Sequence, residues 1–340
     1  MDDAERERDR LVSMVWNSYV PHALHSLVSL GIAELLANGA ATVERLAEQS
    51  GTHAPSLYRL LRVAVSVGVV RLDGELFALT TAGELLCSGV PGSVRNMILR
   101  YGNASERGSW GELNYSVRTG QDAVRHIFGE GFFELLSTDP EQAAIFNETM
   151  AEVSRGVVQA MRELDIAWHG RIADVGGGSG ALLAGVLAAN PQTFGLLYDT
   201  ESGLRDAEAS LTAAGVRDRC KIVCGDFFES VPGGCDAYLL KHIVHDWDDE
   251  RAGMVLKCCR ESMTADARLY LIESVVPDDP TAFDAGMLVR DLTMLVNLAG
   301  RERTRSEFAQ LLAGCGLQLM EVVPLASPGR PYSLLTAIPA

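Results

Sequence analysis

No apolar run in this chain of 340 residues approaches the ~20 residues of a membrane span, so no transmembrane helix is expected. Cysteine follows no pattern. Seven are present, an odd number: Cys87, Cys220, Cys224, Cys235, Cys258, Cys259 and Cys315. They form no Cys-x-x-Cys, and no histidine falls at a metal spacing. This argues against a disulfide scaffold and a zinc module and leaves reduced thiols, as in a cytoplasmic protein; no metal is expected. Positive charge is scarce, with 29 Lys and Arg against 45 Asp and Glu and a net charge of -16. That balance argues against nucleic-acid partners and against docking on anionic lipid. Repeats and low-complexity segments are absent, and the opening Met-Asp-Asp-Ala-Glu-Arg-Glu-Arg-Asp-Arg10 is too charged for a signal peptide. What remains is an ordinary globular composition, 47% hydrophobic, long enough for two domains. It suits a soluble enzyme and slightly favours a cationic ligand.

The first hundred residues read as helical. Val12, Val15, Trp16, Tyr19, Val20, Leu24, Leu27 and Leu30 recur at helical spacing, with Gly31 and Gly39 as punctuation. Thr42 to Gln49 and Ser56 to Ser66 are further helices, Pro55 suiting a first turn. In 69–79 two short strands flank Asp73-Gly74, a hairpin signal. Helices followed by a hairpin resemble a winged helix, but the helix that would read DNA bases offers only Arg59 and Arg62 on an apolar surface. Binding phosphates takes a basic face, so this helix is expected to be buried. Residues 91–168 are helical with breaks at Gly102, Gly120 and Gly131.

From residue 171 strand and helix alternate. Strands are expected at 172–175, 194–198, 221–224, 237–240, 268–276, 317–323 and 332–338, with helices at 181–189, 204–214, 249–263 and 304–315. A mostly parallel sheet with crossover helices follows, its last two strands antiparallel because 324–331 is too short for a crossover. The organising stretch is Arg171-Ile-Ala-Asp-Val-Gly-Gly-Gly-Ser-Gly180, a strand that runs through a glycine turn into a helix. Such a turn lets a ligand lie against bare main chain at a βαβ nucleotide site. Gly176, Gly178 and Ala181 also satisfy the dinucleotide pattern G-x-G-x-x-A, and Asp199, ending the second strand, suits a ribose in either case.

The distinction lies further on, in Cys224-Gly-Asp-Phe-Phe228 and in Leu240-Lys-His-Ile-Val-His-Asp-Trp-Asp-Asp-Glu250. With the Phe146-Asn147 segment and Gly300-Arg-Glu-Arg-Thr304, these residues resemble the S-adenosylmethionine-dependent O-methyltransferases of the caffeate and acetylserotonin type, in their bacterial small-molecule branch. The resemblance spans nearly the whole chain. It implies a Rossmann-like sheet of seven strands carrying an N-terminal winged-helix dimerisation domain. The boundaries are 1–100 for dimerisation, 101–168 for a helical linker lining the substrate pocket, and 169–340 for the cofactor-binding catalytic domain. It implies a homodimer acting on a small aromatic or polyketide-type phenol in antibiotic biosynthesis, with S-adenosylhomocysteine as by-product. It gives cofactor contacts to Ser154, Gly176, Asp199, Gly225, Asp226, Phe227 and Lys241. His245 becomes a general base flanked by Glu273 and Glu302, and Phe146, Met150, Met294 and Asn297 line the substrate.

The physics of those roles is independent of the resemblance. Methyl transfer from a sulfonium is an in-line displacement in which positioning supplies up to ~7–11 kcal/mol. A phenol has a pKa near ~10, so a base within hydrogen-bond reach adds about 10²–10⁴-fold. Two departures stand out. Thr200-Glu201 replaces the Leu-Pro common in relatives, so the ribose loop is expected to sit differently, and His242 stands where relatives often carry an aromatic. Three other readings stay open: a cofactor-binding relative doing hydroxylation or decarboxylation, a nicotinamide-dependent dehydrogenase, and a winged-helix regulator.

Overall fold

The computed structural model describes residues 2–164, 166, 168–326 and 332–340. They fall into two compact units, one ending at Arg107 and the other beginning at Gly108. In the first unit the long helical pattern is three helices, α1 (Asp3–Asn17), α2 (Val20–Ser29) and α3 (Ile32–Ala37). Asp2 starts α1 with a capping box, its side chain taking the Glu5 N–H while Glu5 takes the Asp2 N–H. Next come α4 (Val43–Ser50), capped by Thr42, and α5 (Ala54–Ser66). The α5 helix buries Leu57, Leu61 and Ala64 and leaves Arg59 and Arg62 exposed. The hairpin β1 (Val70–Asp73) and β2 (Leu76–Leu79) pairs Asp73 with Leu76, so its loop is Gly74-Glu75, one residue later than the sequence suggested. Short helices α6 (Thr81–Glu84) and α7 (Arg95–Tyr101) follow, and the division between units lies within α8 (Ala104–Gly111).

The second unit begins with α9 (Leu113–Thr119), α10 (Ala123–Phe128), α11 (Phe132–Thr138) and α12 (Pro140–Met161). Gly120 closes α9 and Gly131 opens α11, as their places in the pattern imply. The alternating part runs β3 (Arg171–Val175), α13 (Ala181–Ala189), β4 (Phe194–Asp199), α14 (Ala207–Ala213), β5 (Cys220–Cys224), β6 (Ala237–Lys241), α15 (Asp249–Ser262) and β7 (Arg268–Glu273). It ends with β8 (Val275–Val276), α16 (Ala285–Leu298), β9 (Arg303–Thr304), α17 (Arg305–Gly314), β10 (Leu317–Leu325) and β11 (Tyr332–Pro339).

Seven strands form one sheet in the order β10-β11-β7-β6-β3-β4-β5, antiparallel only where β11 meets β10 and β7. Its inner strands are buried on both faces and mostly apolar because helices cover both sides, with Asp174 and Glu273 as buried exceptions. Successive residues alternate between two cores. Ala173, Tyr238 and Leu271 pack with α15 and α17 on one side. Ile172, Leu239 and Ile272 pack with α12 and α13 on the other. From β3 the chain winds outward to β4 and β5, then returns to β6 on the opposite side of β3. That reversal is a topological switch point, and sheets of this kind bind ligands beyond the carboxyl ends of the strands there.

Three expectations need correction. The strand expected over 268–276 stops at Glu273, the last residue that β11 pairs, and Val275–Val276 leave the sheet to form a two-residue parallel ladder with Arg303–Thr304. No helix was anticipated in 285–298, where α16 runs, capped by the Asp284 carboxylate on the Met287 N–H. The expected helix over 204–214 opens instead as a 3₁₀ turn, Gly203–Asp206.

Candidate active site

The functional residues gather at the carboxyl ends of the parallel strands. Gly176, just past β3, has φ 69°, and its N–H donates to the Tyr198 carbonyl at 2.8 Å. A Cβ there would come within 2.5 Å of Ile243 Cδ1 and 3.3 Å of the Phe227 ring. The missing side chain lets Ile243 and Phe227 close against the turn, and bare main chain next to such an apolar wall fits a nucleoside cofactor. Asp199, at the end of β4, accepts the Gly178 N–H on Oδ2 at 2.8 Å. Its Oδ1 accepts both the Thr200 N–H at 2.6 Å and the Thr200 hydroxyl at 3.2 Å. Burial raises the Asp199 pKa and these donors oppose it. The Thr200 substitution is thereby absorbed: its hydroxyl helps hold the carboxylate.

Past β5, the Gly225 N–H donates to the Asp199 carbonyl at 3.0 Å, tying the two strand ends together. Asp226 is exposed and its carboxylate takes the Phe228 N–H at 2.8 Å. The Phe227 ring lies 4.9 Å from Phe228 and 6.4 Å from Trp247. Lys241 ends β6, and its charge counters the burial that pushes Asp174 up to about 7. Asp174, the carboxylate that sequence reading passed over, is buried beneath the glycine turn. Its signal was the acid inside Asp174-Val-Gly-Gly-Gly178.

On the other side of the switch lies a titratable cluster. His245 follows β6 in a 3₁₀ turn, Val244–Asp246. Its Nδ1 stands 3.0 Å from Glu302 Oε1 and 3.7 Å from Glu273 Oε2, and its Nε2 stands 3.4 Å from Asp246 Oδ1. Glu273 is fully buried, and its Oε1 accepts the N–H groups of Ile243 and Val244 at 3.2 and 2.9 Å. The β8–β9 ladder aligns the two glutamates, since Glu273 lies two residues before Val275 and Glu302 one before Arg303. Burial alone would lower the His245 pKa, but Glu302, Glu273 and Asp246 overcome it and push it up to about 10. Burial raises Glu273 to about 7, opposed by His245. The set is poised to hold an imidazolium. His245, Glu273 and Glu302 also offer ligand atoms within 4.8 Å of one another, a spacing open to a divalent cation.

His242 has φ 57°, and its ring lies between those of His245, at 5.1 Å, and Tyr332, at 4.7 Å. The remaining candidates lie on two helices. On α12, the buried Ser154 donates its hydroxyl to the Met150 carbonyl at 2.8 Å. Phe146 packs edge-on against Phe132 and Phe133 at 5.8 and 6.2 Å, and Phe133 reaches Trp247 at 6.3 Å. On α16, Met294 and Asn297 are buried, on a helix that packs against the His245 turn. Asp246, Asp291 and Arg303 were not singled out from sequence, although Asp246 and Arg303 lie inside motifs that were. Asp291 takes the Glu302 N–H at 2.8 Å.

A glycine turn at the switch point of a parallel sheet, beside a histidine among carboxylates, defines a nucleoside-cofactor enzyme with acid–base chemistry. Residues 110–318 match the O-methyltransferase domain family and residues 13–89 match the O-methyltransferase dimerisation domain. The chain belongs to the O-methyltransferase family, and it is an enzyme of that class. It is similar to the O-demethylpuromycin-O-methyltransferase of Streptomyces alboniger, 37% identical over 339 residues, which cover 98% of this chain and 89% of the relative. The solved mitomycin 7-O-methyltransferase MmcR superposes with a TM-score of 0.92 at 33% identity, covering 99% of both chains. NcsB1, an O-methyltransferase from neocarzinostatin biosynthesis, was solved with S-adenosylmethionine and 2-hydroxy-5-methyl naphthoic acid. It superposes with a TM-score of 0.80 at 32% identity, covering 94% of this chain and 96% of its own. Family membership sets aside the dehydrogenase and regulator readings. Among the described residues no helix is long and apolar enough to cross a membrane.

Proposed function

We propose that this chain transfers a methyl group from S-adenosylmethionine to a phenolic hydroxyl of a small aromatic natural product, with His245 as general base. The observation that carries the reading is His245 Nδ1 at 3.0 Å from Glu302 and 3.7 Å from Glu273, beside the glycine turn. When bound, S-adenosylmethionine supplies an electrophilic methyl on a cationic sulfur. Gly176 lies beside the cofactor, Asp226 and Phe227 hold the adenine, Asp199 accepts from the ribose hydroxyls, and Gly225 joins the cofactor contacts. Lys241 and Ser154 supply further cofactor contacts.

Two of the three nearest carboxylates face Nδ1, so Nδ1–H points to Glu302 and Nε2 is the atom that meets the acceptor. As the acceptor oxygen attacks, Nε2 takes its proton. The imidazolium formed is stabilised by the Glu302 hydrogen bond and the Glu273 charge. The acids leave the site negative even with His245 protonated, which also suits a sulfonium. Phe146, Met150, Met294 and Asn297 hold the acceptor ring, and the aromatic run from Phe132 and Phe133 to Trp247 favours a flat substrate.

The helices of 101–168 belong functionally to the substrate pocket, and 1–100 to a homodimer interface of winged-helix type. Leu11, Val12, Val15, Trp16 and Tyr19 are exposed on and just past α1, which buries none of its residues within its own chain. A second copy of the chain is the partner that covers them. A cytoplasmic location in an antibiotic-producing pathway fits these features.

His245→Gln tests the reading. Turnover of a phenol panel, followed as S-adenosylhomocysteine, drops about 10²-fold or more, while calorimetric affinity for S-adenosylmethionine persists. Turnover near that of the parent chain would leave positioning alone as the mechanism.

A further inference from the structure

Arg303 is fully buried, and nothing in the transfer step uses it directly. Its guanidinium donates from Nη1 to the Val244 carbonyl and from Nη2 to the Trp247 carbonyl, both at 2.9 Å. Nε and Nη2 also meet Asp249 Oδ1 at 2.9 and 2.7 Å, and Nη1 reaches the Arg301 carbonyl at 3.4 Å. Val244 and Trp247 flank the His245-Asp246 pair. The carbonyl of His245 itself is taken by the Arg301 N–H at 2.9 Å. Gly300 permits that approach, since a Cβ there would lie 2.2 Å from the His245 carbonyl oxygen. Residues 300–303 thus hold the histidine turn at three carbonyls, and the same segment carries Glu302.

We infer that Arg303 is a positioning residue for the methyl transfer, acting through His245 by holding the turn that carries the imidazole in register with Glu302. The inference rests on His245 as base. A planar guanidinium can serve two carbonyls and a carboxylate at once, whereas a lysine ammonium offers three donors from a single point. Loss of the fork frees Val244 and Trp247 to shift while Glu302 stays on its ladder with β8. The Nδ1–Glu302 separation opens and Nε2 moves from the acceptor. Misplacement on the scale of 1 Å costs about a hundredfold in rate.

The test is a double-mutant cycle of Arg303→Lys with His245→Gln, supported by Arg303→Met. Arg303→Lys lowers kcat about ten- to a hundredfold, with KM and S-adenosylmethionine affinity within about threefold of the parent. Its rising limb in kcat/KM moves to lower pH, because a loosened Glu302 pulls less on the imidazole. In the His245→Gln background the same change removes less than about threefold more, since its effect passes through the missing ring. Three results overturn the inference: a folded Arg303→Lys chain with parental kcat and pH profile, equal losses in both backgrounds, or failure of both Arg303 variants to fold, which would assign the residue to stability alone. Parental turnover in the His245→Gln single variant would overturn the base reading instead, and is seen without any change at Arg303.

Discussion

Glu302→Gln removes one negative charge from beside the imidazole while keeping an oxygen that Nδ1–H can reach. Burial alone would lower the His245 pKa, yet Glu302, Glu273 and Asp246 drive it from the ordinary 6.5 to about 10. Their oxygens stand at 3.0 Å for Glu302, 3.4 Å for Asp246 and 3.7 Å for Glu273 from the ring nitrogens. Attraction falls as the reciprocal of distance, so Glu302 supplies somewhat over a third of the pull, and neutralising it lowers the midpoint by about one pH unit or more. The direction follows from the chemistry. A base must be unprotonated to accept, so activity rises with pH through this midpoint, and in Glu302→Gln the rising limb moves to lower pH. The plateau kcat falls about ten- to a hundredfold, because the imidazolium loses a charge-assisted bond worth ~1.5–3 kcal/mol. Initial rates at saturating cofactor between about pH 6 and 10 measure both effects. A limb that stays in place, or moves to higher pH, refutes the role given to Glu302.

Asp174 takes up its proton near 7 in the folded chain, through burial, and near 3.8 when unfolded, so the charge penalty is absent below 3.8, builds up as pH rises from 3.8 to about 7, and is constant above that. Asp174→Asn therefore gains stability above pH 7, on the order of 4 kcal/mol at most, and urea midpoints that change equally at low and high pH would contradict this. Treatment with a chelator leaves turnover unchanged, because a proton on His245 already bridges the carboxylates; loss of activity restored by a divalent metal would reassign the cluster. Val15→Asp with Trp16→Asp yields monomer by light scattering at micromolar concentration, whereas a persistent dimer would place the interface elsewhere.

Most of the sheet is legible in the sequence because its inner strands are buried on both faces and read as short apolar runs between glycine turns. The helix at Ala181–Ala189 coincides with the expected 181–189 for the same reason, bounded by Gly180 and Asn190. Helix α16 is legible in principle, since Leu288, Leu292 and Leu295 recur at helical spacing behind the capping Asp284. The break after β7 escapes notice because Val275 and Val276 prolong the apolar run, and only pairing partners tell them apart. In the site, His245, Glu273 and Glu302 are distant in sequence, and family resemblance named them where periodicity could not. The reason they meet, two residues of parallel ladder, leaves no trace in composition. Arg303 reads as an ordinary basic residue until the carbonyls it serves are in view.

The switch point divides the labour of the site. On the β3, β4 and β5 side, Asp199 is satisfied by two backbone N–H groups and the Thr200 hydroxyl, beside the aromatic ring of Phe227. On the β6 and β7 side, three acids surround one base. Ile243 belongs to both halves. Its side chain faces Gly176, where an added Cβ would come within 2.5 Å of Cδ1, and its N–H holds Glu273 at 3.2 Å. Ile243 thus links the glycine turn to one of the carboxylates behind His245. A proton affinity near 10 matches the imidazole to a phenol of pKa ~10, so transfer between them is close to isoergic. The same affinity keeps the resting imidazole protonated at neutral pH. On the proposed reading, activity therefore rises with pH through the range where His245 loses that proton.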